Sequence, residues 1–135
     1  MTETKYWQAL RKKITDRLAY VWKIQASYEA GVPDWFASDK HAWWVENKRF
    51  AAKKPPLLLD LTDPKKYLSM NQQLWLERRH NEGRNVGVIV FGEPGHIWLP
   101  GREFQTPIAR EDYLSRAMTM DKLADLIVAL VRGEG

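Results

Sequence analysis

The chain of 135 residues fits a single domain, 1–135, and its 44% hydrophobic content is enough for a buried core. The absence of cysteine excludes disulfides and thiolate metal sites, while the net charge of +4 suits a polyanionic partner without identifying one. No apolar run is long enough to cross a membrane and the first residues lack a signal-peptide core, so we expect a cytoplasmic protein.

The first half of the chain predicts a helix and then three strands. Thr2 and Thr4 are candidate N-caps for this helix, whose apolar stripe at helical spacing consists of Trp7, Leu10, Ile14 and Leu18. The β-rich stretch 21–28 predicts a first strand. The segments DWFAS and AWWVENK predict a hairpin, with its turn at Asp39, Lys40 and His41.

The second half predicts a basic loop, a helix, two strands and a closing helix. The loop, 49–66, carries three prolines and four lysines, and a loop of this length is usually functional or mobile. Segments 68–82 and 120–132 predict helices, the first ended by Gly83 and the second capped by Thr119. NVGVIVFG predicts a strand covered on both faces, and GHIWLPG predicts a last short strand. This order predicts an α/β fold with a mixed central sheet flanked by helices.

Two acidic side chains are expected to meet on one face of the predicted hairpin. If the turn centres on Lys40, residues whose numbers sum to 80 lie opposite each other, so Phe36 faces Trp44 and Asp34 faces Glu46. Opposed side chains in an antiparallel pair have Cβ atoms about 4.5–5.5 Å apart. The alternation of a strand places Lys48 on the same face, beside Glu46.

This arrangement predicts metal-assisted hydrolysis of a phosphodiester. Two carboxylates so close repel each other unless a cation lies between them, and their oxygens, with the backbone carbonyl of Asn47, suit Mg²⁺ or Mn²⁺. The ammonium of Lys48 can orient an attacking water or neutralise charge on a phosphate. The competing interpretation, more common for charged hairpin faces, is a surface cluster in which Lys48 bridges two acids. Pro33 before Asp34 and the aromatic flanking strands favour the metal site.

The pair Pro33-Asp34, followed by Glu46-x-Lys48, resembles the signature of the PD-(D/E)xK nuclease superfamily. Within it the chain is most similar to the virus-type replication-repair nucleases (VRR-NUC), including small phage proteins. The matching motifs are GVPD at 31–34, ENK at 46–48, Gln72 in its predicted helix and the strand VGVIVF. The resemblance implies a restriction-endonuclease-like core with the element order α-β-β-β-α-β.

The resemblance also implies an additional acid on the first helix. Glu3, one turn before Trp7, is therefore a predicted ligand of the metal or of its water. A first-turn acid is equally explained by its favourable position near the helix dipole. Glu29 is the rival acid, and we expect it in a solvated turn.

The helix after the basic loop is implied to contribute Gln72. Its amide would orient Lys48 or the substrate, whereas Ser69-x-x-Gln72 also fits a capping box. The sequence departs from the family pattern at Asn47, where an apolar residue is usual. We therefore expect a wetter strand face there, or a contact with DNA.

Basic and aromatic residues suggest how nucleic acid would be bound. The predicted contacts to the DNA backbone are Arg49, Lys53, Lys54, Lys65, Lys66, Arg78 and Arg79. For any one of them a merely solvated role is at least as common. Most of the seven tryptophans fall on apolar stripes and are predicted to be core, while Trp35 and Trp43 are expected beneath a helix or a second subunit. The three histidines lack the spacing of a metal site.

These features together predict a Mg²⁺- or Mn²⁺-dependent DNA endonuclease. By analogy with the family, the expected substrate is branched DNA such as a Holliday junction, and the expected assembly is a homodimer. Two alternatives stay open. One is a sequence-specific restriction-type nuclease, for which the chain has little room for a recognition element. The other is a non-catalytic DNA-binding or scaffold protein that kept the fold.

Overall fold

A mixed sheet of five strands forms the centre of the molecule in the computed structural model, which describes residues 1–25 and 30–134. Its strands are β1 (Tyr20–Lys23), β2 (Trp35–Ser38), β3 (Ala42–Arg49), β5 (Asn85–Phe91) and β6 (Ile97–Pro100), while β4 (Leu58–Leu59) and β7 (Ile108–Ala109) pair separately. The spatial order is β1-β2-β3-β5-β6. All neighbours are antiparallel except β3 and β5, which are parallel.

Helices cover both faces of the sheet. One face carries α1 (Glu3–Ile14) and α4 (Met120–Arg132), and the other carries α2 (Met70–Asn81) and α3 (Arg110–Arg116). The sheet therefore separates two apolar clusters, and β5 contributes alternate residues to both. This two-sided coverage explains the uninterrupted apolar run in β5, which is buried from Val86 to Phe91.

The hairpin of β2 and β3 follows the predicted pairing rule. Phe36 pairs with Trp44, and the turn closes between Asp39 and His41, where the Asp39 N–H donates to the His41 carbonyl at 3.0 Å. Strand alternation then places Glu46 and Lys48 on the face covered by α2. Asp34 lies immediately before β2, at the end of the sheet.

The first helix is shorter than predicted. α1 ends at Ile14 and a 3₁₀ turn, Thr15–Arg17, follows it, so Leu18 is buried but lies beyond the helix. Of the two candidate caps, Thr2 is the one used, because its hydroxyl accepts a hydrogen bond from the backbone of the first turn at 3.2 Å. Thr4 lies inside the helix.

Two stretches differ from their predicted structure. β1 ends at Lys23, whereas the sequence predicted a strand to residue 28. The last part of that predicted strand and the rival acid Glu29 lie within residues 26–29, outside the described ranges. The predicted loop 49–66 contains the short strand β4, and Leu59 and Leu61 are buried within it. The loop therefore packs down instead of standing free.

The elements after the loop are largely as predicted. α2 begins after Ser69, β5 and β6 follow, and α4 is capped by Thr119, whose hydroxyl accepts from the Lys122 N–H at 3.2 Å. No pattern in the sequence predicted β7 or α3. α3 is held by Tyr113, whose hydroxyl donates to the Gly95 carbonyl at 2.8 Å. Within the described ranges, we find no helix with the length and apolarity needed to span a bilayer.

Candidate active site

A tight turn that packs against α2 holds Asp34 in place. Gly31 adopts a φ of 84°, and a Cβ there would overlap the carbonyl of Asn71, so this position requires glycine. Pro33 fixes the backbone just before the acid. The Oδ2 of Asp34 accepts the backbone N–H of Asn47 at 2.7 Å, which ties the carboxylate to β3 just before β2 begins.

Glu46 is a buried acid with one oxygen left open. The residue is 1% exposed, and its Oε1 accepts a hydrogen bond from the Gln72 amide at 3.1 Å. The Nζ of Lys48 lies 3.8 Å from the same oxygen. Its other oxygen, Oε2, is buried and has no hydrogen-bond partner among the described residues. Because such an atom is destabilising unless it meets a donor or a cation, a ligand at Oε2 would stabilise the site.

The surroundings of Glu46 favour its neutral form. Burial raises the pKa of Glu46 well above its ordinary value, and the negative charge of Asp34 raises it further. The ammonium of Lys48 acts in the opposite direction. A divalent cation between the two carboxyl groups would remove their repulsion and favour the ionised form of both.

Glu3 approaches this pair from the other layer of the fold. It is half-buried at the start of α1, where burial and then the charge of Asp34 raise its pKa, while Lys48 and Arg49 lower it. Glu3 is therefore electrostatically coupled to the site. In the part of the chain that the structure describes, however, no three His, Asp or Glu side chains lie close enough together to hold one metal ion. Direct ligation by Glu3 stays a prediction.

The side chain of Asn47 does not behave as expected from the sequence. It is 2% exposed, and its Oδ1 accepts a hydrogen bond from the indole N–H of Trp35 at 2.9 Å. Trp35 in turn stacks on Trp7 of α1, with ring centroids 4.8 Å apart. The prediction of a wetter face or a DNA contact at Asn47 is thus wrong, because a buried indole satisfies the amide.

The backbone carbonyl of Asn47 remains available as an oxygen ligand. In a strand the N–H and C=O of one residue point to the same side, so this carbonyl points toward Asp34, as the N–H does. Continuing the pairing register places Pro33 opposite Asn47. Proline has no N–H to donate, so the Asn47 carbonyl gains no ladder partner from that residue. Two carboxylates, one of them with an unpartnered oxygen, and one backbone carbonyl fit a hard divalent cation.

Gln72 satisfies both interpretations of its position. Its Oε1 accepts the Ser69 N–H at 2.9 Å and the Ser69 hydroxyl accepts the Gln72 N–H at 3.2 Å, which completes a capping box. The cap fixes the carbonyl end of the amide, so the NH₂ end points away from it and donates to Glu46. The amide therefore orients Glu46, whereas the sequence suggested Lys48 or the substrate as its target.

The predicted DNA-binding residues occupy three different settings. Arg49, the last residue of β3, lies near enough to lower the pKa of Glu3. Arg79 pairs with Glu82 at 3.0 Å and lies 5.5 Å from the ring of Trp75, so it is already engaged. The other candidates are exposed: Lys53, Lys54, Lys65, Lys66 and Arg78.

Sequence reasoning missed two residues that shape the site. Lys23, the last residue of β1, contributes a positive charge that lowers the pKa of Glu3. Trp35 holds Asn47, as described above. A weak signal for Lys23 was present, because strand alternation in β1 puts its side chain on the same face as Val21. The structure shows that this is the face that α1 covers. Nothing in the sequence indicated that the Trp35 indole would meet Asn47.

The remaining aromatic predictions largely hold, and His96 has a structural role. Trp35 is fully buried beneath α1, and Trp43 packs on the same cluster beside Trp98 at 5.4 Å. His96 is buried between Tyr6 and Phe91, and burial lowers its pKa. Its Nδ1 accepts the Gly92 N–H at 3.3 Å, a structural role.

Comparison with known proteins identifies the fold. No protein-family model matches the chain, and no curated protein matches it in sequence. Its structure is similar to that of Hjc from Archaeoglobus fulgidus, described as a Holliday junction resolvase from an archaeal hyperthermophile. The TM-score is 0.56 at 16% sequence identity, over 91% of this chain and 95% of Hjc. This similarity confirms the predicted restriction-endonuclease-like fold with a mixed sheet flanked by helices.

Proposed function

We propose that this chain is a metal-dependent DNA endonuclease that cuts branched DNA, with a four-way junction as the leading substrate. The observation that carries the proposal is the convergence of Asp34, Glu46 and Lys48, with the buried Oε2 of Glu46 left open. The fold supports it, because Hjc is a Holliday junction resolvase. Kinship with the phage-type VRR-NUC nucleases is part of the proposal and rests on the motifs at 31–34 and 46–48.

Each residue of the site has a role in this proposal. Asp34, Glu46 and the Asn47 carbonyl hold Mg²⁺ or Mn²⁺, and Glu3 assists from α1. When bound, the divalent ion supplies Lewis-acid activation of the phosphate and lowers the pKa of a coordinated water. Gln72 keeps Glu46 in the orientation that leaves Oε2 open.

Lys48 acts on the reacting atoms. Its ammonium orients the attacking water and neutralises the charge that develops on the phosphate oxygens. The attacking water gives up a proton to solvent as its oxygen bonds to phosphorus, the P–O bond to the leaving sugar oxygen breaks, and that oxygen takes a proton from solvent. Because Lys48 is only 18% exposed in its side chain, this charge acts in a partly desolvated site.

The proposal includes a homodimer and a basic approach surface. Resolution of a four-way junction requires two opposed strands to be cut, and a two-fold dimer would present two sites for this. Arg49 and the exposed lysines at 53, 54, 65 and 66 neutralise phosphates around the cut, with Arg78 and Arg79 behind them.

Cleavage of a panel of DNA structures tests the proposal. The purified protein is incubated with linear duplex, single strand, flap, nicked duplex and four-way junction, in Mg²⁺, Mn²⁺, Ca²⁺ or EDTA. We expect cleavage in Mg²⁺ or Mn²⁺ that is fastest on branched DNA. Asp34→Asn and Lys48→Ala should each lower the rate by about 100-fold or more, because Asp34→Asn weakens the hold on the cation and Lys48→Ala removes a positive charge that stabilises the transition state.

Two exposed residues provide matched controls, Asp112→Asn and Lys122→Ala. They change the same charges far from the site and should cleave at the wild-type rate. Lys48→Ala should still bind DNA in Ca²⁺. If Asp34→Asn and Lys48→Ala cleave like the controls, the site assignment is wrong. Binding without cleavage in any metal would instead favour a non-catalytic DNA-binding protein.

A further inference from the structure

A row of aromatic rings crosses the same sheet face as the candidate acids and takes no part in the mechanism above. Trp22 of β1 pairs with Phe36 of β2, which pairs with Trp44 of β3. Ring centroids lie 4.6 Å apart between Phe36 and Trp44, and 5.3 Å apart between Trp44 and Trp75 of α2. The row ends at the sheet edge on Trp22, which is 43% exposed. Tyr20 of β1 lies 6.3 Å from Phe36, so the rings from Trp75 to Tyr20 form a continuous layer, and Trp22 lies at its open edge.

Phe36 and Trp44 of this layer are the nearest residues on the same sheet face to the two carboxylates. Asp34 is two residues from Phe36, and Glu46 is two residues from Trp44, which in a strand corresponds to about 7 Å. Lys48 lies beyond the acids on this face, whereas Arg49 and Lys23, which follow Lys48 and Trp22 in the chain, lie on the opposite face of the sheet. A nucleic-acid strand with a phosphate at the acids would therefore carry its neighbouring nucleotide over the rings.

The size of the open surface favours a small aromatic occupant. Trp22 and Tyr20 are about half exposed, 43% and 51%. Side chains of this kind bury about 150–250 Å² each, so together they offer about 200 Å². A stable interface between two protein copies needs about 800 Å² per partner. The adjacent cations and the net charge of +4 further favour a nucleic acid over an apolar protein surface.

We propose that Trp22 and Phe36 form a stacking platform for an unpaired nucleobase next to the cut phosphate. This proposal rests on the nuclease function proposed above and deepens it. A base inside a duplex is already stacked on its neighbours, so only an unpaired or splayed base can lie on a protein ring. The platform thus selects DNA with an unpaired nucleotide at the cut, such as a flap or the open centre of a junction.

The test compares two DNAs that differ only in one unpaired nucleotide. Wild-type cleavage in Mg²⁺ first maps the cut, and 2-aminopurine is then placed in the unpaired nucleotide beside it. Affinity and 2-aminopurine fluorescence are measured in Ca²⁺ for this DNA and for the fully paired duplex. Trp22→Ala should weaken binding of the unpaired DNA by about 5- to 150-fold, relieve the quenching, and leave duplex affinity unchanged. Trp22→Tyr should stay near wild type, as should Leu114→Ala, which removes an exposed apolar side chain on α3.

The outcomes separate this proposal from the nuclease proposal. If the wild type cuts DNA but Trp22→Ala lowers the affinity for both DNAs equally, or for neither, the platform proposal is wrong and the nuclease proposal stands. If sedimentation shows that Trp22→Ala dissociates a dimer, the ring belongs to an interface between copies, which also overturns the platform. A wild type that neither binds nor cuts DNA overturns both. Should Trp22→Ala fail to fold, Trp22→Leu removes the aromatic face while keeping the apolar bulk.

Discussion

Asp34 and Gln72 both act on Glu46, the buried acid of the site. The pairing rule placed it opposite Asp34, because a short hairpin turn fixes the register of both strands. Its burial and its open Oε2 could not be predicted in this way. They depend on α2, which covers that face, and on Gln72, a partner 26 positions away in the chain.

The raised pKa of Glu46 gives a pH dependence with a definite sign. Because the folded pKa lies above the ordinary value of 4.5, the metal-free folded state binds more protons than the unfolded state above that pH. The free energy of unfolding therefore decreases as pH rises from 4.5 through the folded pKa. Glu46→Gln removes this contribution. The melting temperature of the metal-free wild type should therefore fall further and further below that of Glu46→Gln as pH rises. Calorimetric melting temperatures between pH 4.5 and about pH 8 measure the gap.

Added Mn²⁺ provides the complementary arm of this experiment. The cation favours the ionised carboxylates, so it should raise the melting temperature of the wild type most at high pH and should not raise that of Glu46→Gln. Glu111→Gln, at an exposed position on α3, is the control and should melt like the wild type throughout. A gap between wild type and Glu46→Gln that is constant with pH would contradict the assignment.

At the scale of elements, the turn 31–34 couples the acid on the sheet to the first turn of α2. The hairpin and α2 could be predicted because each carries a local signal: a period of two with a polar turn, and a capping box followed by a helical pattern. β7 and α3 lack such signals. Neither end of α3 has a side-chain cap, and Tyr113 is its one buried residue. Long-range packing alone specifies that element.

Gly31 and Gly83 form a matched pair for testing the turn. Both have a φ of 84°, but a Cβ on Gly31 overlaps the backbone of Asn71, whereas one on Gly83 meets no described atom within 4 Å. Gly83→Ala should lower the free energy of unfolding by about 1 kcal/mol, the conformational term alone. Gly31→Ala should lower it by about 2–5 kcal/mol, because the overlap adds to that term. Urea unfolding measures both.

Cleavage adds a second readout to this pair. Displacement of the turn moves Asp34, and a shift of about 1 Å can lower a rate by about 100-fold. We expect Gly31→Ala to lose cleavage under conditions in which it is still folded, while Gly83→Ala keeps it. Equal effects of the two substitutions on stability and rate would show that the contact with α2 does not position the acid.

At the scale of the whole molecule, the fold class followed from the sequence because the order of strands and helices leaves few arrangements that bury every apolar face. The dry surroundings of Asn47 did not follow, since they arise where α1 closes over the sheet and brings Trp7 onto Trp35. The placement of positive charge is likewise a property of the assembled surface. The exposed lysines of the loop follow β3, which ends at the site.

This placement predicts how DNA affinity depends on salt. The double substitution Lys53→Ala/Lys54→Ala should make the slope of log affinity against log salt less steep by about 2, because each phosphate contact contributes about 0.9. The control is Lys12→Ala/Lys122→Ala, which also lowers the net charge from +4 to +2 but removes lysines on α1 and α4, outside the loop. It should leave the slope nearly unchanged. Titrations of linear duplex in Ca²⁺ at several salt concentrations measure both, and equal slopes for the two variants would place the DNA elsewhere.

The parallel pairing of β3 with β5 bears on when the proposed nuclease would become active during synthesis. A nascent chain that has not reached Asn85 already contains Asp34, Glu46 and Lys48, yet β3 still lacks the neighbour on one side. The missing neighbour is β5, and the connection from β3 to β5 contains α2 with Gln72. Nucleic acid close to the ribosome would thus meet a competent hydrolase only after most of the polypeptide had been made.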